Sequence, residues 1–85
     1  MKTRISVISI IVENLDSVDM LNSVLHDYGD YIIGRMGLPY RKHNIHIISV
    51  ALDAPESKSA ELLKKIGDID GITVNISVSD KEFEE

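Results

Sequence analysis

Eighty-five residues with a net charge of −5 and no cysteine make one small acidic domain, and a chain this short buries only about 60–65% of the surface it exposes when unfolded. The missing cysteine excludes disulfides, thiolate metal sites and cysteine nucleophiles. The acidic balance argues against a nucleic-acid surface, which needs clustered Lys and Arg to neutralise phosphates. The two basic spots, Arg41-Lys42-His43 and Lys64-Lys65, read as a solvated turn and a solvated helix face.

Ile5 to Val12 alternates Ile and Val with Ser and reads as a strand with apolar side chains on both faces. It is too short to span a bilayer and lacks a signal-peptide cleavage pattern, so a cytoplasmic protein without membrane contact is expected. Asp16 stands as a helix N-cap with Asp19 in the capping-box position, and Leu15 and Met20 are spaced for a hydrophobic staple. Val18, Leu21, Leu25 and Tyr28 line one apolar face, which predicts a helix over 17–28 with Gly29 as its left-handed stop.

Tyr31 to Met36 predicts a second strand, closed by Gly37-Leu38-Pro39, and Tyr40 to Asn44 a polar turn. Ile45 to Leu52 predicts a third strand, apolar on both faces apart from His46 and Ser49. Pro55 suits the first turn of a second helix, with Ala60, Leu63 and Ile66 as its inner stripe, Leu62 beside it, and Gly67 as its end. Ile72 to Val78 alternates cleanly and predicts the last strand. The expected organisation is a single domain over residues 1–79 and an acidic, disordered tail over 80–85.

The order β-α-β-β-α-β is the ferredoxin-like pattern of the α+β class. It predicts a four-stranded antiparallel sheet with the first and third strands central and both helices on one face. Such a sheet should be polar on its bare face, and the two central strands are not. An apolar patch of several hundred Å² is rare on a monomer, so a second copy is the expected cover, in a dimer or tetramer. The alternative is that the turn before the third strand, or the tail, folds over that face.

Catalytic chemistry finds little support. No Ser-His-Asp set can be assembled from local sequence, and the carboxylate pairs Asp27/Asp30 and Asp68/Asp70 flank turns, where solvated Asp is ordinary. No glycine-rich phosphate loop opens a helix, so neither an enzyme nor a cofactor is expected. His26, His43 and His46 are weak metal candidates, and a site built from them would need ligands from another subunit. The segment Tyr28 to Tyr40 packs tyrosine, glycine and arginine together. Glycine inside a strand marks a bulge or a close backbone approach. Arg35, read on one strand face with Tyr31, Ile33 and Gly37, either clamps a carboxylate or phosphate or pairs with Asp30 or a subunit carboxylate. The ligand or interface candidates are Glu13, Asn14, Tyr31, Arg35, Met36, Gly37 and Tyr40.

Gly29-Asp30-Tyr31-Ile32-Ile33-Gly34-Arg35-Met36-Gly37-Leu38-Pro39-Tyr40, followed by Ile47-Ile48-Ser49-Val50 and Leu52-Asp53-Ala54-Pro55, resembles the small regulators of the iron-only hydrogenase system of anaerobic bacteria. The likeness runs over essentially the whole chain. It implies an ACT-like fold, similar also to the effector domain of nickel-responsive repressors, and assembly as dimers or tetramers. It further implies a non-catalytic ligand-binding or protein-interaction module with a hydrogenase maturation or regulatory protein as partner, without a DNA-binding domain of its own. The alternative it leaves is a metal sensor using histidines at a subunit interface. Two departures stand out: the repressors' nickel site of three histidines and a cysteine has no cysteine here, and Glu13-Asn14-Leu15-Asp16 replaces the glycine that amino-acid-binding ACT domains favour after the first strand.

Overall fold

β-branched residues commit the first strand: β1 spans Lys2–Val12 and lies at the centre of the sheet. The computed structural model describes all of residues 1–85. Around β1 are arranged β2 (Ile32–Tyr40), β3 (Ile45–Ala54) and β4 (Ile72–Glu84), all antiparallel, in the order β2-β3-β1-β4. The helices are α1 (Val18–Asp27) and α2 (Glu56–Gly67). This is the expected ferredoxin-like α+β sandwich with β1 and β3 central.

One face of the sheet forms the core. Ile8, Ile10 and Val12 from β1 and Ile48, Val50 and Leu52 from β3 are buried with Leu21, Leu25 and Tyr28 of the first αβ connection and Leu62 and Ile66 of α2. Ile72, Val74 and Ile76 of β4 pack against this cluster, as their alternation predicts.

Several boundaries differ from the sequence reading, each for a local reason. The α1 entrance is a 3₁₀ turn over Leu15–Ser17 capped by Asn14, not Asp16: the Asn14 side-chain oxygen accepts the Asp16 N–H at 3.0 Å. Met20 is exposed, so no staple forms there. Gly29 begins a second 3₁₀ turn, Gly29–Tyr31, rather than a left-handed stop; among the glycines only Gly71 has a positive φ. In α2 the buried stripe is Ser59, Leu62 and Ile66, with Ala60 exposed. Spacings of three and then four follow the 3.6-residue period better than two successive threes.

β2 continues through Gly37 and Pro39 to Tyr40, because an edge strand tolerates a residue without an N–H. β4 continues to Glu84, so within the stretch expected as a disordered tail Glu82 to Glu84 pair with β1, while Asp80 and Lys81 lie in the bulge before them. Thr3 lies opposite Phe83 and Arg4 opposite Glu82 beyond a bulge, with the Arg4 guanidinium 3.8 Å from the Glu82 carboxylate.

Candidate functional site

The loop after β1 carries Glu13 and Asn14, and the structure commits both to holding the fold. Their backbone N–H groups donate to the Gly71 carbonyl at 2.7 and 3.2 Å. The Thr73 hydroxyl donates to the Glu13 carboxylate at 2.6 Å. Nearby, the Ser17 hydroxyl donates to the Asp70 carbonyl at 2.6 Å. The loop is thus pinned to the turn before β4 rather than open around a vacant cradle.

Arg35 does not share a face with Tyr31 and Ile33. Tyr31 sits in the 3₁₀ turn, its ring 6.5 Å from that of Tyr28, and the β2–β3 register shifts between Ile32 and Gly34. Ile33 is the extra residue of that bulge, and beyond it the side-chain alternation reverses. Arg35 therefore falls opposite Val50 on the helix side of the sheet, where its guanidinium donates to the Asn22 side-chain oxygen on α1 at 3.1 Å. Gly37 lies on the same side, and a Cβ built there would meet nothing within 4 Å. Neither Asp30 nor any other carboxylate of the chain pairs with Arg35.

The same bulge sends Met36, Leu38 and Tyr40 to the bare face. There the strands align in rows: Leu38, Ile47, Ile11 and Thr73; Met36, Ser49, Ser9 and Asn75; Gly34, Ala51, Val7 and Ser77. Each row is apolar or neutral toward β2 and polar at β4. Ile11 and Ile47, on the two central strands, remain 40% and 42% exposed, and Met36 62%. The apolar surface is therefore off-centre: it is densest at the corner made by Met36, Leu38, Tyr40, Ile45, Ile47 and Ile11 and is interrupted by a serine row, beyond which exposed Val7 stands beside Ala51.

The three histidines stay apart in role. His26 is exposed in the last turn of α1, His43 meets the Tyr40 ring edge-on with centroids 5.5 Å apart, and His46 is half-buried opposite Val12 and Pro39. No group of three or more His, Cys, Asp or Glu side chains is placed to hold a metal ion. A histidine metal site would need residues from a second chain.

Two clefts indent the surface. One, of about 380 Å³, lies between the α1 end and α2 and is lined by Tyr28, Tyr31, Lys58, Glu61 and Lys65 together with Asp27 and Asp30. Its charges answer one another: the Tyr28 hydroxyl donates to Glu61 at 2.8 Å, Lys58 approaches the same carboxylate at 3.5 Å, and the Lys65 ammonium lies 5.2 Å from the Tyr28 ring centre. The Tyr28 hydroxyl, then Lys58, hold Glu61 below the usual carboxylate range, and Tyr28 with Glu61 behind it raises Lys65. The other cleft, of about 280 Å³, lies beneath the β2–β3 turn, and among its walls are Leu15, Tyr40, Arg41, Asn44 and His46. Only Tyr40 of these was a ligand candidate from sequence; Arg41 and Asn44 read there as a solvated turn, and His46 only as a weak metal ligand. One signal was available: no Asp or Glu occurs between Tyr31 and Leu52, although the chain has fourteen.

The bare, partly apolar sheet face and the two shallow clefts sit on a small α+β domain of the ferredoxin-like, ACT-like class. The chain belongs to the TM1266-like family, described provisionally as iron-only hydrogenase system regulators, which it matches over residues 4–76. No curated protein sequence matches it significantly. Among solved structures it is similar to the uncharacterized protein TM1266 of Thermotoga maritima, with a TM-score of 0.85 and 28% identity over 92% of this chain and 98% of that one. A nitrogen regulatory PII-like protein of Thiomonas intermedia K12, bound to ADP, AMP and bicarbonate, matches with a TM-score of 0.56 and 17% identity over 95% and 96% of the two chains. A formyltetrahydrofolate deformylase of Pseudomonas putida KT2440 matches at 0.64 and 14% over 91% of this chain and 29% of its own. The last two likenesses show the fold alone. No helix is long and apolar enough to cross a membrane.

Proposed function

We propose that this chain is a non-catalytic, cytoplasmic regulatory module of the iron-only hydrogenase system that works as a homo-oligomer and makes no DNA contact of its own. Its partners are further copies of itself and a hydrogenase maturation or regulatory protein. The family supports the regulatory role. The observation that carries the assembly is the off-centre apolar corner of the bare sheet face.

At strand spacings near 4.8 Å and about 3.3 Å per residue, four strands of about seven residues present roughly 450 Å² in projection. Covering several hundred Å² of apolar surface at about 25 cal/mol per Å² contributes several kcal/mol before the cost of association. The corner residues come from three strands and leave the β4 edge polar, which suits a second copy laid obliquely across β2, β3 and β1.

Size-exclusion chromatography with light scattering tests the reading. The expected particle is a multiple of the 9.5-kDa chain. A monomer at tens of micromolar (about 6–7 kcal/mol of association absent) would remove the assembly on which the reading depends.

A further inference from the structure

We propose that the cleft beneath the β2–β3 turn is a binding site for a small metabolite with an oxoanion head, a carboxylate or a phosphate, and a short apolar body. The residues come together through the hairpin register. Pro39 lies opposite His46 and Tyr40 opposite Ile45, so the two arms bring Arg41 and His46 to the same end of the sheet. The turn between them closes with the Asn44 N–H donating to the Arg41 carbonyl at 3.2 Å, and Asn44 takes φ 56°, a left-handed conformation that asparagine tolerates better than most side chains. Leu15, from the connection after β1, supplies the opposite wall.

Charge sets this cleft apart from the one beside α2. There every cation meets a carboxylate or a ring. Here no carboxylate lines the walls, and neither Arg41 nor His46 has a side-chain partner anywhere in the chain. The hairpin from Tyr31 to Leu52 carries Arg35, Arg41 and Lys42 and no acid, in a chain of net charge −5. Arg35 is occupied by Asn22, which leaves Arg41 as the guanidinium free to take a planar oxoanion. Leu15, Pro39 and Ile45 give the apolar part of the wall. A volume of about 280 Å³ falls just below the usual range of ligand pockets, about 300 to 1,000 Å³, and suits a small metabolite rather than a dinucleotide. The site is complete within one chain, and it borders the proposed assembly at Tyr40 and Ile45, which the apolar corner also uses.

The test is a titration of the ¹⁵N-labelled protein with inorganic phosphate and, separately, with isovalerate, followed by amide chemical shifts, with light scattering on the same samples. Shifts confined to Leu15 and Tyr40 through His46 are expected, with dissociation constants in about the millimolar range for such fragments. The tighter probe names the head group. Arg41→Ala should weaken binding about tenfold or more, while Arg35→Ala, which removes the same charge from the same hairpin, should leave it unchanged. The proposal is overturned by no shift with either probe, by shifts that survive Arg41→Ala, by equal loss in both variants, or by shifts centred on Lys58 and Lys65. None of these outcomes depends on the particle mass, so failure here leaves the oligomer reading to its own measurement.

Discussion

Tyr28, at the end of α1, reaches across to α2 and donates its hydroxyl to the Glu61 carboxylate at 2.8 Å. The ring is almost wholly buried against the core while its polar tip emerges beside Lys58 and Lys65, so one side chain joins the core to the surface charges that bridge the two helices.

This contact has a pH signature. Glu61 is held below the usual carboxylate range, first by the Tyr28 hydroxyl and then by Lys58. A carboxylate whose folded value is depressed contributes stability above the pH at which the unfolded group titrates, and the contribution is lost as pH falls through the lower folded value. Tyr28→Phe should therefore melt a few degrees below the parent at neutral pH, and the gap should narrow through the acid range where Glu61 takes up its proton. Thermal melts of both proteins from neutral to acid pH decide it. A gap that stays constant would assign the effect to packing and not to the hydrogen bond.

Gly71 is a stronger constraint. It has φ +76°, and a Cβ there would lie 2.4 Å from the Asn14 Cβ and 3.2 Å from the Asn14 nitrogen. The same residue accepts the two N–H groups of Glu13 and Asn14, so a shift to relieve the overlap would loosen both bonds. Gly71→Ala should destabilise by about 2–4 kcal/mol and lower Tm by about 10 °C or more. Gly37→Ala, where a Cβ meets nothing within 4 Å, is the paired control and should change Tm little. Equal effects in the two variants would contradict this account.

Ser6 offers the opposite sign. It is buried on the helix side of β1 opposite Leu52 and Val78, and its hydroxyl has no hydrogen-bond partner. Removing an unsatisfied buried hydroxyl without opening a large cavity should stabilise, so Ser6→Ala is expected to gain up to about 1 kcal/mol in urea unfolding. A loss of stability would mean that the hydroxyl is satisfied in solution.

The architecture was legible where residue type and period agree. Ile and Val on both faces of β1 and β3 could only be central strands, and the alternation of Ile72, Val74 and Ile76 placed the β4 face correctly. The ends were harder. Gly37 and Pro39 look like strand terminators, yet β2 lies at an edge where such residues persist. The charged run from Asp80 to Glu84 looks solvated, yet Glu82 to Glu84 pair with the start of β1 beyond a bulge that sequence alone does not mark. Of the site, the bare face could be read from β1 and β3. The side to which β2 adds Met36, Leu38 and Tyr40 depends on a one-residue bulge at Ile33, which reverses the alternation beyond it. The proximity of Arg41 and His46 to Leu15 is a tertiary relation between a turn and a distant loop, and only the missing acids of the hairpin hinted at it.

The bare face makes the last prediction, and its asymmetry makes it specific. Ile11 and Ile47 are cross-strand neighbours at the middle of the apolar corner, and both side chains point away from the core. A carboxylate at either position would be desolvated on assembly with no cation opposite it in the row, since the flanking residues are Leu38 and Thr73. Ile11→Asp and Ile47→Asp should each weaken self-association about a hundredfold or more and yield monomers by light scattering. The far-UV circular dichroism of each variant should remain that of the parent, because neither side chain belongs to the buried cluster. Ser77→Asp, on the same face but at the polar β4 edge, should leave the particle mass unchanged. If Ser77→Asp dissociates the particle as readily as Ile11→Asp does, the second copy covers the sheet evenly and the oblique arrangement is wrong. If neither isoleucine variant dissociates it, the copies meet elsewhere.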